Sequence, residues 1–287
     1  MNYAHDFHAG SFADVHKHAV LCLVVQHLHE KPTAFRVIDS HAGSGVYDLA
    51  GPEAARSGEW RDGIARLMAA AVPEPAASLL APYLDIVRAF NPRGDLKTYP
   101  GSPALVRALL RPQDRLIACE LQARAATALA RNLRDRRVKT LHLDGWTALA
   151  AYVPPKERRG LVLIDPPFEE DSDFMRLPAA LATARRKWGT GIYMLWYPIK
   201  TRSAPDQLAR RLARLSIPKI LRAELTVGSL ADPSRLNGSG LILVNPPWRL
   251  VEELSSLLPT LAGLLGRDDT GRFRLDWLAG ERVPAAG

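Results

Sequence analysis

Apolar positions along this chain fall into two rhythms, one helical and one strand-like. Ser11-Phe12-Ala13-Asp14 has the form of a capping box with Asp in place of Glu, and Val15, Ala19, Leu23 and Val24 follow at helical spacing. This predicts a helix over 11–30, ended by Pro32. Segment 34–39 (AFRVID) is short, apolar and β-branched, and runs into the glycine-rich 40–45, which reads as a strand delivering a loop. Helix-like stretches follow over 59–72 and 76–91, before YPGSP (99–103), where Ser102 reads as a helix cap with Pro103 at the first helical position.

From Leu116 onward apolar strands alternate with helical stretches: 116–121, 138–143, 160–165, 191–197, 220–227 and 240–245. Such alternation predicts an α/β fold, a mostly parallel sheet covered on both faces. With 34–39 this makes a seven-stranded sheet. The turn-rich GSLADPSRLNGS between the last two strands is too short for a helical crossover, so that pair is expected to be antiparallel. Asp39 and Glu120 are 81 positions apart, where a direct strand-helix-strand step takes ~20 to 30, so roughly 55 residues are inserted. Ile64, Leu67, Leu79, Leu80, Tyr83, Ile86 and Val87 give the insertion helical periodicity. The expected organisation is one domain over 1–45 and 100–287 with a helical subdomain, 46–99, inserted near the mouth of the ligand site.

Composition narrows the partners. Hydrophobic residues at 47% and charged residues at 24% are those of a globular chain. No stretch reaches the ~18 apolar residues that cross a bilayer, and 1–10 carries His5, Asp6 and His8 where a signal peptide needs an apolar run, so a cytoplasmic protein away from the membrane is expected. Cys22 and Cys119 sit in apolar runs and read as buried thiols. The net charge is +8, bunched in 131–139 (RNLRDRRVK), 156–159 (KERR), 185–187 and 210–214. Each run alone reads as a solvated helix face; together they favour a nucleic-acid partner.

The chemistry is concentrated at strand ends. His41-Ala-Gly-Ser-Gly45 places backbone amides where α/β sheets bind ligands, but Asp48 stands where a dinucleotide fingerprint needs its third glycine, which counts against hydride transfer. Glu120 and Asp144 close the next two strands, as ribose and adenine acceptors or as plain helix caps. Asp165-Pro166-Pro167-Phe168 follows the fourth strand. An exocyclic aromatic amine is a poor nucleophile because its lone pair is delocalised into the ring. A carboxylate (Asp165) and a backbone carbonyl of the proline step (Pro166) accepting its two N–H bonds return electron density to nitrogen and stabilise the charge that develops there. Phe168 offers a ring face for the base. Asn245-Pro246-Pro247-Trp248 has the same form; lacking an ionisable side chain, it reads as a strand end away from the site, with Trp248 packed on the sheet.

These motifs resemble class I S-adenosylmethionine-dependent amino-methyltransferases. The full set, with FHAGSFADVHKH (7–18), DSHAGSG (39–45), YPGSP, ACEL, LDG (143–145), RRGLVLIDPPF (158–168), TGIYMLWYP (190–198) and SGLILVNPPW (239–248), resembles the bacterial 23S rRNA adenine-N6 methyltransferases of the RlmJ type over nearly the whole chain. The resemblance implies a Rossmann-like sheet, S-adenosylmethionine as cofactor and 23S rRNA as substrate. It assigns His18, His41, Ser102, Glu120, Asp144 and Gly145 to the cofactor, Asp165 to catalysis and Tyr3 to the RNA. Phe168 stands where the family often has Tyr, keeping a stacking face without a hydroxyl. Lys17 is a candidate phosphate contact. Seven of the eight histidines lie in the first 41 residues, yet His16 and His18 point to different faces of a helix, so no metal site is expected. No obligate protein partner is expected and the chain reads as a monomer. DNA adenine-N6 or cytosine-N4 methylation, and a non-catalytic RNA-binding role, are the alternative readings.

Overall fold

A computed structural model describes residues 5–168, 172–267 and 270–281. A short 3₁₀ turn (His5–Phe7) leads into helix α1 (Phe12–His29), whose first turn is capped by Ser11 Oγ, which accepts from Asp14 N–H. Nearly every side of α1 is buried, Val15, Ala19, Val20, Leu21 and Val24 completely. A helix enclosed on all sides carries its polar residues into the interior with it. Asp14, His16, Lys17 and His18 are all buried for this reason.

The chain continues through β1 (Arg36–Asp39), β2 (Val46–Asp48), α2 (Pro52–Ser57), a π-helical turn (Arg61–Ala65), α3 (Arg66–Ala69), α4 (Ala76–Phe90) and β3 (Thr98–Pro100). Then come α5 (Ser102–Leu109), β4 (Arg115–Glu120), α6 (Ala123–Asn132), β5 (Val138–His142), α7 (Gly145–Tyr152), β6 (Gly160–Ile164) and α8 (Ser172–Lys187). The last elements are β7 (Ile192–Ile199), α9 (Ser203–Ala213), β8 (Ile220–Thr226), β9 (Gly238–Val244), α10 (Leu250–Leu265) and β10 (Arg272–Ala279).

The main sheet has the order β10-β8-β9-β7-β6-β1-β4-β5. Strands β5, β4, β1, β6 and β7 are parallel neighbours, β9 is antiparallel to both β7 and β8, and β10 is antiparallel to β8. The expected antiparallel pair is therefore present, but the sheet has eight strands instead of seven. The additional one, RFRLDWLA, alternates charged and apolar residues and lies at an edge, where one half-exposed face suffices; Phe273 and Trp277 are each 45% exposed. Among the described residues no helix is long and apolar enough to cross a membrane.

Two elements of 46–99 differ from expectation. The helix expected over 59–72 is a π-turn followed by the four-residue α3. Ile64 N–H donates to Gly10 O, and a Cβ at Gly63 would meet that oxygen at 2.1 Å, so this glycine lets the segment lie against the start of α1. The ends of the segment pair as the β2–β3 ladder, Tyr47 opposite Tyr99. Ile64, Leu67, Leu80, Tyr83 and Val87 share one apolar cluster with α1. Ser102 does not cap α5: Gly101 occupies that position, and the Ser102 hydroxyl donates to Asp39 Oδ2 at 2.7 Å.

Candidate active site

Parallel strands all end at one edge of the sheet, and this brings the strand-end residues together. After Asp39 the chain turns through Ser40, whose hydroxyl donates to Leu163 O at 2.9 Å, and Ala42 N–H donates to Cys119 O at 2.8 Å. Gly43 (φ +59°) and Gly45 (φ +77°) occupy the left-handed region that favours glycine. Gly43 N–H donates to Glu120 Oε2 at 2.9 Å, and Gln122 N–H to Glu120 Oε1 at 2.7 Å, so the loop and the acid fix each other. Asp144 caps α7, accepting from Thr147 N–H at 2.9 Å. A Cβ on Gly145 would meet Ser40 O at 2.3 Å, which is why this turn can close against His41.

These groups surround a cavity of about 290 Å³ at the carboxyl edge. Lys17, His18, His41, Ser102, Glu120, Asp144 and Asp165 all line it, joined by Ser44, Tyr47, Trp146, Pro167 and Arg176. Gly145 supports the wall through His41, and Pro166, which does not line the cavity, is buried. Tyr3 lies outside the described residues.

The catalytic candidate Asp165 is part of a buried charge chain. Lys17 Nζ donates to Asp165 Oδ2 at 2.6 Å and lies 2.9 Å from Asp14 Oδ1; Asp14 Oδ2 in turn accepts from Gly10 N–H and lies 3.0 Å from His5 Nε2. Burial alone would pull the Lys17 ammonium down, but the Asp14 and Asp165 carboxylates outweigh it and hold it above the ordinary lysine value. Lys17 is therefore neither a solvated lysine nor presented to a phosphate: at 4% exposure its charge is committed to two carboxylates. Burial pushes Asp39 up to about 7, against the Ser102 hydrogen bond and helped by the nearby Asp165 charge. Burial lowers His18 to about 3 and His41 to about 4, so both rings are neutral at pH 7. His18 Nδ1 is hydrogen-bonded to Tyr99 Oη at 2.7 Å, and Tyr99 to Tyr83 at 2.8 Å, tying α1 to α4.

Phe168 (φ +50°) turns its ring into an aromatic group beside Asp165, 4.7 Å from Phe174 and 5.7 Å from Trp196 between centroids. Trp196 is held by its indole N–H, which donates to Ser239 Oγ at 2.9 Å; the same oxygen lies 3.0 Å from His16 Nδ1. Sequence reasoning missed Asp14, Trp146, Arg176 and Trp196. Only Asp14 carried a signal, as the cap residue of α1, and it pointed to structure. Among the described residues no group of three or more His, Cys, Asp and Glu could hold a metal ion.

The second Pro-Pro tetrapeptide lies at the opposite edge, because β9 runs against β7. Asn245 Nδ2 donates to Gly189 O and Gly191 O, both at 2.9 Å. Trp248 does not pack on the sheet as expected; it is 77% exposed, following Pro247 away from the surface that Leu250 and Leu254 bury.

A parallel sheet with an antiparallel final pair, a glycine loop after its first strand, acids closing the next two and an Asp-Pro-Pro-aromatic turn after the fourth define a class I S-adenosylmethionine-dependent methyltransferase. The residues present fit that cofactor: a glycine loop whose amides approach closely, a fixed carboxylate in Glu120 for paired hydroxyls, and an acid at Asp144. Residues 32–279 match the family described as Ribosomal RNA large subunit methyltransferase D, RlmJ. The chain is 38% identical over 282 residues to the Escherichia coli protein named Ribosomal RNA large subunit methyltransferase J, covering 98% of this chain and all of that one. It is 37% identical over 284 residues to the protein of the same name from Haemophilus influenzae, with 98% and 100% coverage. The crystal structure of a Legionella pneumophila protein, 32% identical, superposes with a TM-score of 0.86 over 96% of this chain and 99% of that one. The chain belongs to the RlmJ family of large-subunit ribosomal RNA methyltransferases, and its cofactor is S-adenosylmethionine.

Proposed function

We propose that this protein methylates the N6 amino group of an adenine in 23S rRNA. The observation that carries the reading is Asp165 at the exit of β6, lining the same cavity as the glycine loop, Glu120 and Asp144. When bound, S-adenosylmethionine supplies an electrophilic methyl group. Glu120 holds paired ribose hydroxyls, and Asp144 accepts from the adenine amine of the cofactor. Lys17 engages Asp165 Oδ2 and so aims the second carboxylate oxygen at the target amine. That oxygen and the Pro166 carbonyl accept the two N–H bonds, raising electron density on nitrogen and stabilising its positive charge as the new bond forms. Phe168 and Trp196 supply the ring faces that hold the base in line.

The family is named for methylating large-subunit ribosomal RNA, which favours RNA over the DNA alternative, and the intact set of strand-end acids weighs against a non-catalytic binder. A bacterial rRNA substrate supports reading the enzyme as cytoplasmic. The paired ends of 46–99 support reading that segment as an insertion into the methyltransferase domain. Methyl transfer from labelled cofactor onto 23S rRNA lacking the modification, followed by mass-spectrometric mapping, tests the reading. One N6-methyladenosine per transcript is expected; transfer to DNA or to another base would overturn it.

A further inference from the structure

The four basic runs of the sequence all map to the edge of the sheet opposite the cavity. Strands β4, β5, β6 and β7 run with β1, and β8, antiparallel to β9, runs with β7. The segments leading into β5, β6, β7 and β8 therefore share one edge, and they carry 131–139, 156–159, 185–187 and 210–214. Hydrogen bonds stitch this edge together: Trp188 Nε1 donates to Arg158 O at 3.3 Å, Asn245 Nδ2 to Gly189 O, and Asn245 N–H to Lys219 O at 3.1 Å.

Three acids of this edge are turned to inner arginines, Asp114 to Arg111, Asp135 to Arg137 and Glu157 to Arg36; Glu30, Glu253 and Glu281 pair with His27, Arg249 and Lys219, and Glu252 is exposed in the first turn of α10. Arg134, Arg136, Lys156, Arg158, Arg186 and Lys187 remain exposed, and none has an ion pair among the described residues. Helix dipoles attract cations to the last turns of α6, α8 and α9. They do not explain Arg134, Arg136, Lys156 and Arg158, which lie beyond α6 and α7. Nor do they explain Trp248, an indole left 77% exposed on the same edge with the Arg249 guanidinium 5.7 Å from its ring.

We infer that this edge is a second RNA-docking surface, which grips the sugar-phosphate backbone of a part of the rRNA remote from the target adenine while Trp248 stacks on an unpaired base. The inference rests on the rRNA reading of the active site and extends it to the substrate's size. From β7 to β5 the charged edge spans ~19 Å, and the five residues of β6 alone separate it from the cavity by ~16 Å. A short stem-loop filling the active site leaves it untouched; a transcript carrying the surrounding rRNA domain engages both.

The test compares wild type with the combined variant R134A/R136A/R158A/R186A on two RNAs, a minimal target stem-loop and the longer transcript, reading binding by mobility shift and methyl transfer by label. The expected result is a KM at least about tenfold higher for the long transcript, and a log K against log salt slope shallower by roughly one per lost phosphate contact. For the stem-loop, kcat/KM should stay within twofold, with Tm unchanged. The R134K/R136K/R158K/R186K variant should retain long-transcript binding. Equal losses on both RNAs, or none on either, overturn the inference, as does a variant that loses binding only to phosphatidylserine vesicles. Loss of Tm matching the loss of binding assigns these cations to helix stability and also overturns it. A wild type that methylates neither RNA fails at the active-site reading, and the docking surface falls with it.

Discussion

Asp165-Pro-Pro-Phe168 and Asn245-Pro-Pro-Trp248 share a pattern, and each contains a non-glycine residue in the left-handed region, Phe168 (φ +50°) and Asn245 (φ +52°). Their surroundings are opposite. Asp165 faces a cavity and a buried lysine; Asn245 clamps two carbonyls of the loop before β7, and its aromatic partner stands in solvent. Lateral distance is not the cause, since β9 lies directly beside β7 and only β7 and β6 separate it from β1. Strand direction is. A motif that follows a parallel strand is delivered to the ligand edge, and the same motif after an antiparallel strand is delivered to the far one.

The largest expected effect is at Asp165. D165A should lower kcat on the order of 10²- to 10³-fold, as losing one partner of a developing charge does, with cofactor affinity changed only a few-fold. Single-turnover rates and calorimetry check this, and a matching collapse of cofactor binding would move Asp165 into the cofactor site. E120A should act the other way. Losing charged hydrogen bonds worth ~1.5–3 kcal/mol weakens the cofactor about 10- to 100-fold, and turnover recovers towards wild type at saturating cofactor. An unchanged dissociation constant would remove Glu120 from that role.

Acid should also separate the two regions. His16, His18 and His41 are lowered by burial to about 3, 3 and 4, whereas unfolded histidines titrate near 6.5, so between pH ~4 and ~6.5 the unfolded chain binds more protons at these sites. Their contribution to stability is present above pH ~6.5 and is lost as pH falls towards 4. Asp39, raised by burial to about 7, works in the opposite sense over the same range, because its neutral form is favoured in the fold. Three imidazoles against one carboxyl leave a net loss on acidification. The urea midpoint should fall from pH 7 to pH 4.5, and hydrogen exchange should report the first opening in the first half of α1, around His16 and His18. A flat midpoint over this window would contradict the buried-imidazole assignment. N245A is the mildest change: two lost hydrogen bonds cost ~1–3 kcal/mol of stability, measured by denaturation, with turnover per folded molecule intact.

The strand-end pattern was legible because parallel strands put every carboxyl terminus at one edge, so acids that close successive parallel strands converge on one cavity. Other parts were not legible. Lys17 and Asp165 are 148 residues apart, and nothing local tells a buried lysine from a solvated one. β10 hides because an edge strand needs only a half-apolar alternation, and Ser102 looked like a cap because its actual partner, Asp39, is 63 positions away. Trp248 misled for a simpler reason: an aromatic after Pro-Pro is apolar enough to suggest burial, yet the turn carries it outward.

The two tetrapeptides are best set against each other in one measurement: the rate of methyl transfer to 23S rRNA by D165N and N245A, each normalised to folded, cofactor-binding protein. Delivery by strand direction predicts that D165N loses most of its turnover while N245A stays within about twofold of wild type. Equal losses in the two variants would contradict it, as would a D165N enzyme that still turns over.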